Sequence, residues 1–165
     1  MIAAELTAVF QARELLLGRG LAVLTGWALL NLIGSGYLLR HADRRFQPYF
    51  FHAMNVGWGL VNAGLAFWGI WQLQLKAPAG LVLADLFQVQ LQQENLFLLN
   101  AGLDVAYIMT GFYLRALGAV PGPQEARLLG FGQSLWVQGG FLLVFDAAMW
   151  SLLHWQGRDW LALLT

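Results

Sequence analysis

The sequence predicts an all-α fold, an integral membrane four-helix bundle, and three observations carry that prediction. Only 11% of the 165 residues are charged while 59% are hydrophobic, against about 25% charged in an ordinary soluble domain. Four windows are apolar enough, and long enough at 1.5 Å per residue, to cross a hydrocarbon core of ~30 Å. Turn chemistry or charge separates each window from the next.

The first window, residues 21–39, holds no charged residue and is closed by Arg40-His41-Ala42-Asp43-Arg44-Arg45. The second, 53–71, is also uncharged and is followed by Lys76-Ala77-Pro78-Ala79-Gly80. The third, 96–114, carries one charge, Asp104, and the fourth, 135–153, carries one, Asp146. Pro121-Gly122-Pro123 divides the third from the fourth. Residues 1–165 read as a single membrane domain. Two flanking stretches look amphipathic and suited to the membrane surface. Residues 3–17 set Glu5, Gln11, Arg13 and Glu14 among apolar positions, forming an N-terminal amphipathic helix. Residues 81–95 mix Leu81, Leu86, Phe87 and Leu91 with Asp85, Gln88, Gln92 and Glu94, and read either as a surface helix or as an extension of the third span.

The hairpin loops carry Arg40, Arg44, Arg45, Arg115 and Arg127, against Arg13, Arg19, Lys76 and Arg158 on the opposite side. The positive-inside rule then puts the loops in the cytoplasm and both termini outside. Glu5 in place of a basic leader region, and the length of the first apolar run, argue for a retained anchor over a cleaved signal peptide. Trp71, Tyr49, Trp155 and Trp160 suit interfacial anchoring. Net charge is zero, so no footprint for nucleic acid exists, and with no Cys the thiolate chemistries are excluded.

A repeat of a two-helix hairpin is suggested by Ser35-Gly36-Tyr37-Leu38-Leu39-Arg40 beside Thr110-Gly111-Phe112-Tyr113-Leu114-Arg115. Trp58 and Trp136 keep the same spacing to Phe67 and Phe145. Copies made of two crossings share one orientation, which makes the repeat parallel.

The chemistry lies in polar residues inside the spans. Asn31 and Ser35 stand four apart on the first. His52, Asn55, Gly59, Asn62, Ala66 and Gly69 step by three or four along the second. Asn100, Asp104, Tyr107 and Gly111 form a stripe on the third, with Gln93 before it, and Gln133, Gln138, Asp146 and His154 lie on the fourth. A charged Asp at the bilayer centre costs at least ~2.5 kcal/mol. No Lys or Arg lies in any span to neutralise Asp104 or Asp146. These groups must therefore face one another, water, a proton or a cation. The candidate ligand-binding set is Asp104, Asp146, Asn55, Asn62, Asn100, Asn31, Tyr107 and His52. The competing reading is that the same amides hold helices together at ~0.6–2 kcal/mol each. Gly102, Ala106 and Thr110 suggest a close helix contact on the third span. No metal-binding helix, phosphate loop or complete dinucleotide fingerprint is present. No catalytic residue, metal or cofactor is expected.

Small multidrug transporters also have four spans, but they carry a membrane Glu in the first, and this first span is uncharged. In general character the chain resembles small bacterial membrane proteins, which implies a plasma membrane setting and transfers no functional residue. Two functions lead as expectations, ahead of a membrane enzyme or lipid-modifying protein with an unfamiliar site, which ranks last. One is transport or binding of a proton, cation or small polar molecule at an intramembrane site. The other is a non-catalytic scaffold or accessory subunit. The partners expected are the lipid bilayer and a second copy or membrane-complex subunit.

Overall fold

A computed structural model of the chain describes residues 2–74, 78–80 and 82–161. Lys76, Ala77 and Leu81, and the side chain of Trp160, lie outside the described residues. All regular structure among the described residues is helical: α1 (Ile2–Leu30), a π-helical turn (Asn31–Ser35), α2 (Gly36–His41), α3 (Gln47–Gln72), α4 (Leu83–Gly118) and α5 (Glu125–Leu161).

The first departure from the sequence expectation is at the N-terminus. Residues 3–17 are helical, but they run without a break into the first apolar window as part of α1. Their polar residues do not face outward together. Arg13 and Glu14 are buried and paired, Nη2 to Oε1 at 3.0 Å. Glu14 also accepts the backbone N–H of Gln74 at 2.8 Å. Leu6 and Phe10 pack on Leu86 of α4. Apolar contact with α4 thus overrides the surface helix that the sequence suggested. Residues 83–95 belong to α4, an extension of the third span, as one of the two readings had it.

Length and composition make three of these helical stretches able to cross a membrane: Ala4–His41, Leu83–Gly118 and Glu125–Arg158. At 1.5 Å per residue, the 36 residues of α4 reach about 54 Å. The second predicted span falls within α3, whose 26 residues are also long enough. It is not among those three.

The π turn sits where the first span needs polar groups to point inward. The side-chain amide of Asn31 donates to the Trp27 carbonyl one turn back, at 2.8 Å. Asn31 and Ser35 are both buried. The chain then turns through residues 42–46, where the Asp43 carboxylate accepts the backbone N–H of Arg45 at 2.9 Å. Pro48 lies in the first turn of α3.

Packing is uneven. α4 lies along α5 for most of its length, α5 packs on α3, and α3 on α1. The α4–α5 seam is close because two glycines meet: a Cβ on Gly111 would sit 2.8 Å from the Gly132 carbonyl, and one on Gly132 would sit 2.7 Å from that of Gly111. The small-residue stripe Gly102, Ala106, Thr110 faces outward instead, with nothing near Gly102. The contact expected there is made one residue along, by Gly111. Positions that the sequence likeness pairs have unlike surroundings: Gly36 is open, while Gly111 is packed against Trp136.

The polarity of the molecule is inverted relative to a water-soluble bundle. Among the described residues the buried polar side chains, Asn31, Asn55, Asn62, Ser134, Gln138, Asp104 and Asp146 among them, are as numerous as the buried apolar ones. Large apolar side chains cover the outside, including Ile33, Leu60, Phe67, Trp71, Leu99, Val144 and Trp155. A soluble protein does not expose apolar surface on this scale.

Candidate functional site

The buried polar residues fall into two groups at different levels of the helices. The first is a closed network centred on Gln138 of α5. Its amide nitrogen, Nε2, donates to Asn31 Oδ1 at 2.7 Å and to Asn55 Oδ1 at 3.0 Å. Its Oε1 accepts the indole N–H of Trp27 at 2.9 Å. Ser134 donates to the same Asn55 oxygen at 2.6 Å. The network ties α1 and the π turn, α3 and α5 together. Gln47 donates to Gln133 at 2.7 Å and extends the tie between α3 and α5 toward the loops.

The second group lines a cavity of about 460 Å³. It occupies the space between α3 and α4, which make no extended contact with each other, while α1 and α5 supply the remaining walls. Asn62 comes from α3, Asn100, Asp104 and Tyr107 from α4, and Asp146 from α5. The carboxyl groups of Asp104 and Asp146 are near enough to interact with each other, and Asn100 reaches Asp146. Asn62, Asp104 and Asp146 are 0%, 2% and 5% exposed. Both polar atoms of Asn62, and Oδ2 of Asp104, have no hydrogen-bond partner. Gln93 Oε1, also on the lining, has none either; buried amides and carboxyl oxygens are nearly always partnered, so four orphan atoms around one cavity are exceptional. No Lys or Arg is among the lining residues.

Aromatic side chains frame the polar centre. Trp58 meets Tyr107 edge to face at 4.9 Å, joining α3 to α4. Phe97 meets Phe145 at 6.3 Å, joining α4 to α5. Trp68 lies on the wall nearer the far end of α3. A smaller cavity of about 310 Å³ adjoins this one and shares Glu14, Gln72 and Gln93 with it.

Of the residues singled out from sequence, five therefore line one cavity: Asp104, Asp146, Asn62, Asn100 and Tyr107. Asn31 and Asn55 do not; both are satisfied in the Gln138 network. His52 stands apart, its Nδ1 3.3 Å from Ser35 Oγ. The sequence reading missed Trp27 as a network member and Trp68 as a cavity wall. Neither stands out by spacing, because a Trp in an apolar run carries no signal of which way it faces. Trp136, which the sequence pairs with Trp58, does not line the cavity; the Arg115 guanidinium lies 4.5 Å over its ring. Among the described residues no group of three or more His, Cys, Asp or Glu is arranged to hold a metal ion.

The model of a family of unknown function (DUF6992) matches residues 23–147, about three-quarters of the chain. No curated protein and no solved structure matches. The matched stretch contains the whole closed network, both carboxyl groups and Asn62. The chain belongs to this family of unknown function, DUF6992.

Proposed function

We propose that the protein is an integral membrane four-helix bundle that binds, and moves across the bilayer, a proton, a cation or a small polar molecule at the Asp104–Asp146 cavity. The observation that carries the reading is the convergence of both carboxyl groups and the orphaned Asn62 on one open space. A structural role would have paired Asn62, as it has paired Asn31 and Asn55.

The membrane setting is supported by the inverted polarity and by the helices long and apolar enough to cross. α3 crosses as the fourth span because its Asn55 and Asn62 face inward and its Leu60, Phe67 and Trp71 face lipid. The Arg40–Arg45 loop lies on the cytoplasmic side in this reading.

Two hydrogen-bonded carboxyl groups hold a proton between them, and ionising the pair without a basic residue on the lining leaves negative charge to be matched in a poorly solvated site. A proton or cation from outside supplies the match, and its release completes a transport step. The scaffold alternative accounts for the Gln138 network, but it leaves Asn62 without a reason to be polar.

The test is flux in proteoliposomes that hold the purified protein and a pH-sensitive dye, under an imposed proton, Na⁺ or K⁺ gradient. Protein-dependent flux is expected for one of these ions, with a loss of at least about tenfold in the Asp104→Asn, Asp146→Asn double variant. Equal flux in the two proteins, or none in either, rejects the transport reading.

A further inference from the structure

The cavity carries more information than its carboxyl groups alone. We infer that its ligand is a protonated amine on an apolar, aromatic-sized body. The inference rests on the reading that this cavity is the binding site, and it narrows the ligand from any proton or cation to this class.

Three observations lead there. First, the ionisable groups at the centre of the lining are acidic only. Asp104 and Asp146 adjoin each other, and no Lys or Arg lines the space. Glu14, at the far end, is already engaged by Arg13 and by the Gln74 backbone N–H. Second, the unused hydrogen-bonding atoms include acceptors on two helices: Asn62 Oδ1 on α3 and Asp104 Oδ2 on α4. An ammonium group brings up to three N–H donors, enough to serve both at once. Third, the space is far larger than a proton or an alkali ion needs. About 460 Å³ falls within the range of small-molecule pockets, ~300–1,000 Å³. Its walls are mainly apolar, with Trp58, Tyr107, Phe97 and Phe145 on either side of the carboxyl groups. Aromatic rings attract cations and bury apolar bodies at the same time.

Polar atoms on one level and rings beside them match a molecule with a charged head and an apolar body. A neutral molecule of the same shape would leave the carboxyl charge unmatched. A quaternary ammonium would satisfy the charge but leave Asn62 Oδ1 without a donor.

The experiment is calorimetric binding to the intact protein in nanodiscs, with empty nanodiscs subtracted. The probes are phenethylammonium, its trimethylated quaternary analogue and the neutral isostere 2-phenylethanol. Saturable binding of phenethylammonium is expected. The alcohol should bind at least about tenfold more weakly, and the quaternary analogue should fall between the two. The Asp104→Asn, Asp146→Asn double variant should lose at least about tenfold in amine affinity, and unchanged helical circular dichroism shows that it is folded. The comparison of probes on the unaltered protein does not depend on any variant folding.

Equal binding of amine and alcohol overturns the amine assignment while leaving a cavity that binds small polar molecules. No amine binding, combined with carboxyl-dependent proton or Na⁺ flux, overturns the amine assignment and upholds the transport reading. No amine binding and no such flux rejects both. Amine binding without ion flux upholds the ligand class and confines the failure to coupled ion transport.

Discussion

Asn55 and Asn62 lie two turns apart on the inner face of α3, about 10 Å along the axis, yet they sit in opposite kinds of environment. Around Asn55, each acceptor meets a donor: Gln138 and Ser134 share its oxygen, and Gln138 in turn serves Asn31 and Trp27. Around Asn62, no partner is in reach and a cavity opens. The amide is the same and so is its near-complete burial; what differs is whether neighbouring helices close on it. Where they close, hydrogen bonding fixes the helices to one another. Where they do not, the cost of an unpaired amide is retained.

The contrast can be broken most forcefully at its hub. Gln138→Leu removes the bonds to Asn31, Asn55 and Trp27 and strands the Asn31 oxygen and the Trp27 indole N–H. A loss of about 2–4 kcal/mol is expected, read as a lower thermal unfolding midpoint in detergent. An unchanged midpoint would mean that the network does not hold the helices. Asn62→Leu tests the other side, and its sign should be opposite. Replacing an orphaned amide by an apolar side chain beside a cavity should raise stability by about 1–2 kcal/mol, while phenethylammonium binding weakens. A destabilised Asn62→Leu would show that the amide has a partner in the protein after all. The smallest effect belongs to Thr110→Ala. This exposed hydroxyl bonds only the Ala106 carbonyl of its own helix, at 2.8 Å, and its loss should change stability by less than about 0.5 kcal/mol. A larger change would place a partner on the outer face of α4.

Much of the helical framework was legible because length, apolarity and breakers are properties of the chain itself. Pro121-Gly122-Pro123 and the Arg40–Arg45 stretch interrupt the helices wherever the rest of the protein lies. The step of three and four through Asn55, Gly59, Asn62 and Ala66 likewise names one face, and that face is buried. Periodicity does not say what opposes a face. Asn31, Asn55 and Asn62 look alike in sequence, and only the placement of Gln138 and Ser134 separates two satisfied amides from an orphan. The N-terminal segment failed for a related reason. Arg13 and Glu14 read as exposed because charge usually is, but each neutralises the other where α1 meets α4 and the chain after α3. The stripe Gly102, Ala106, Thr110 had the right spacing for a close contact on the wrong face, since Gly111, one residue on, turns about 100° away around the helix.

The meeting of Gly111 and Gly132 has a mechanical consequence. Backbones in direct contact leave no side-chain layer to deform, so α4 and α5 act as one stiff beam. α3 is pinned to that beam at the Asn55–Ser134–Gln138 level and touches α4 beyond it through Trp58 on Tyr107. Its Asn62 half is held against α1 and α5, where Ala66 packs with Leu24 and Leu142, so the cavity is walled by helices that are each fixed along a packed seam.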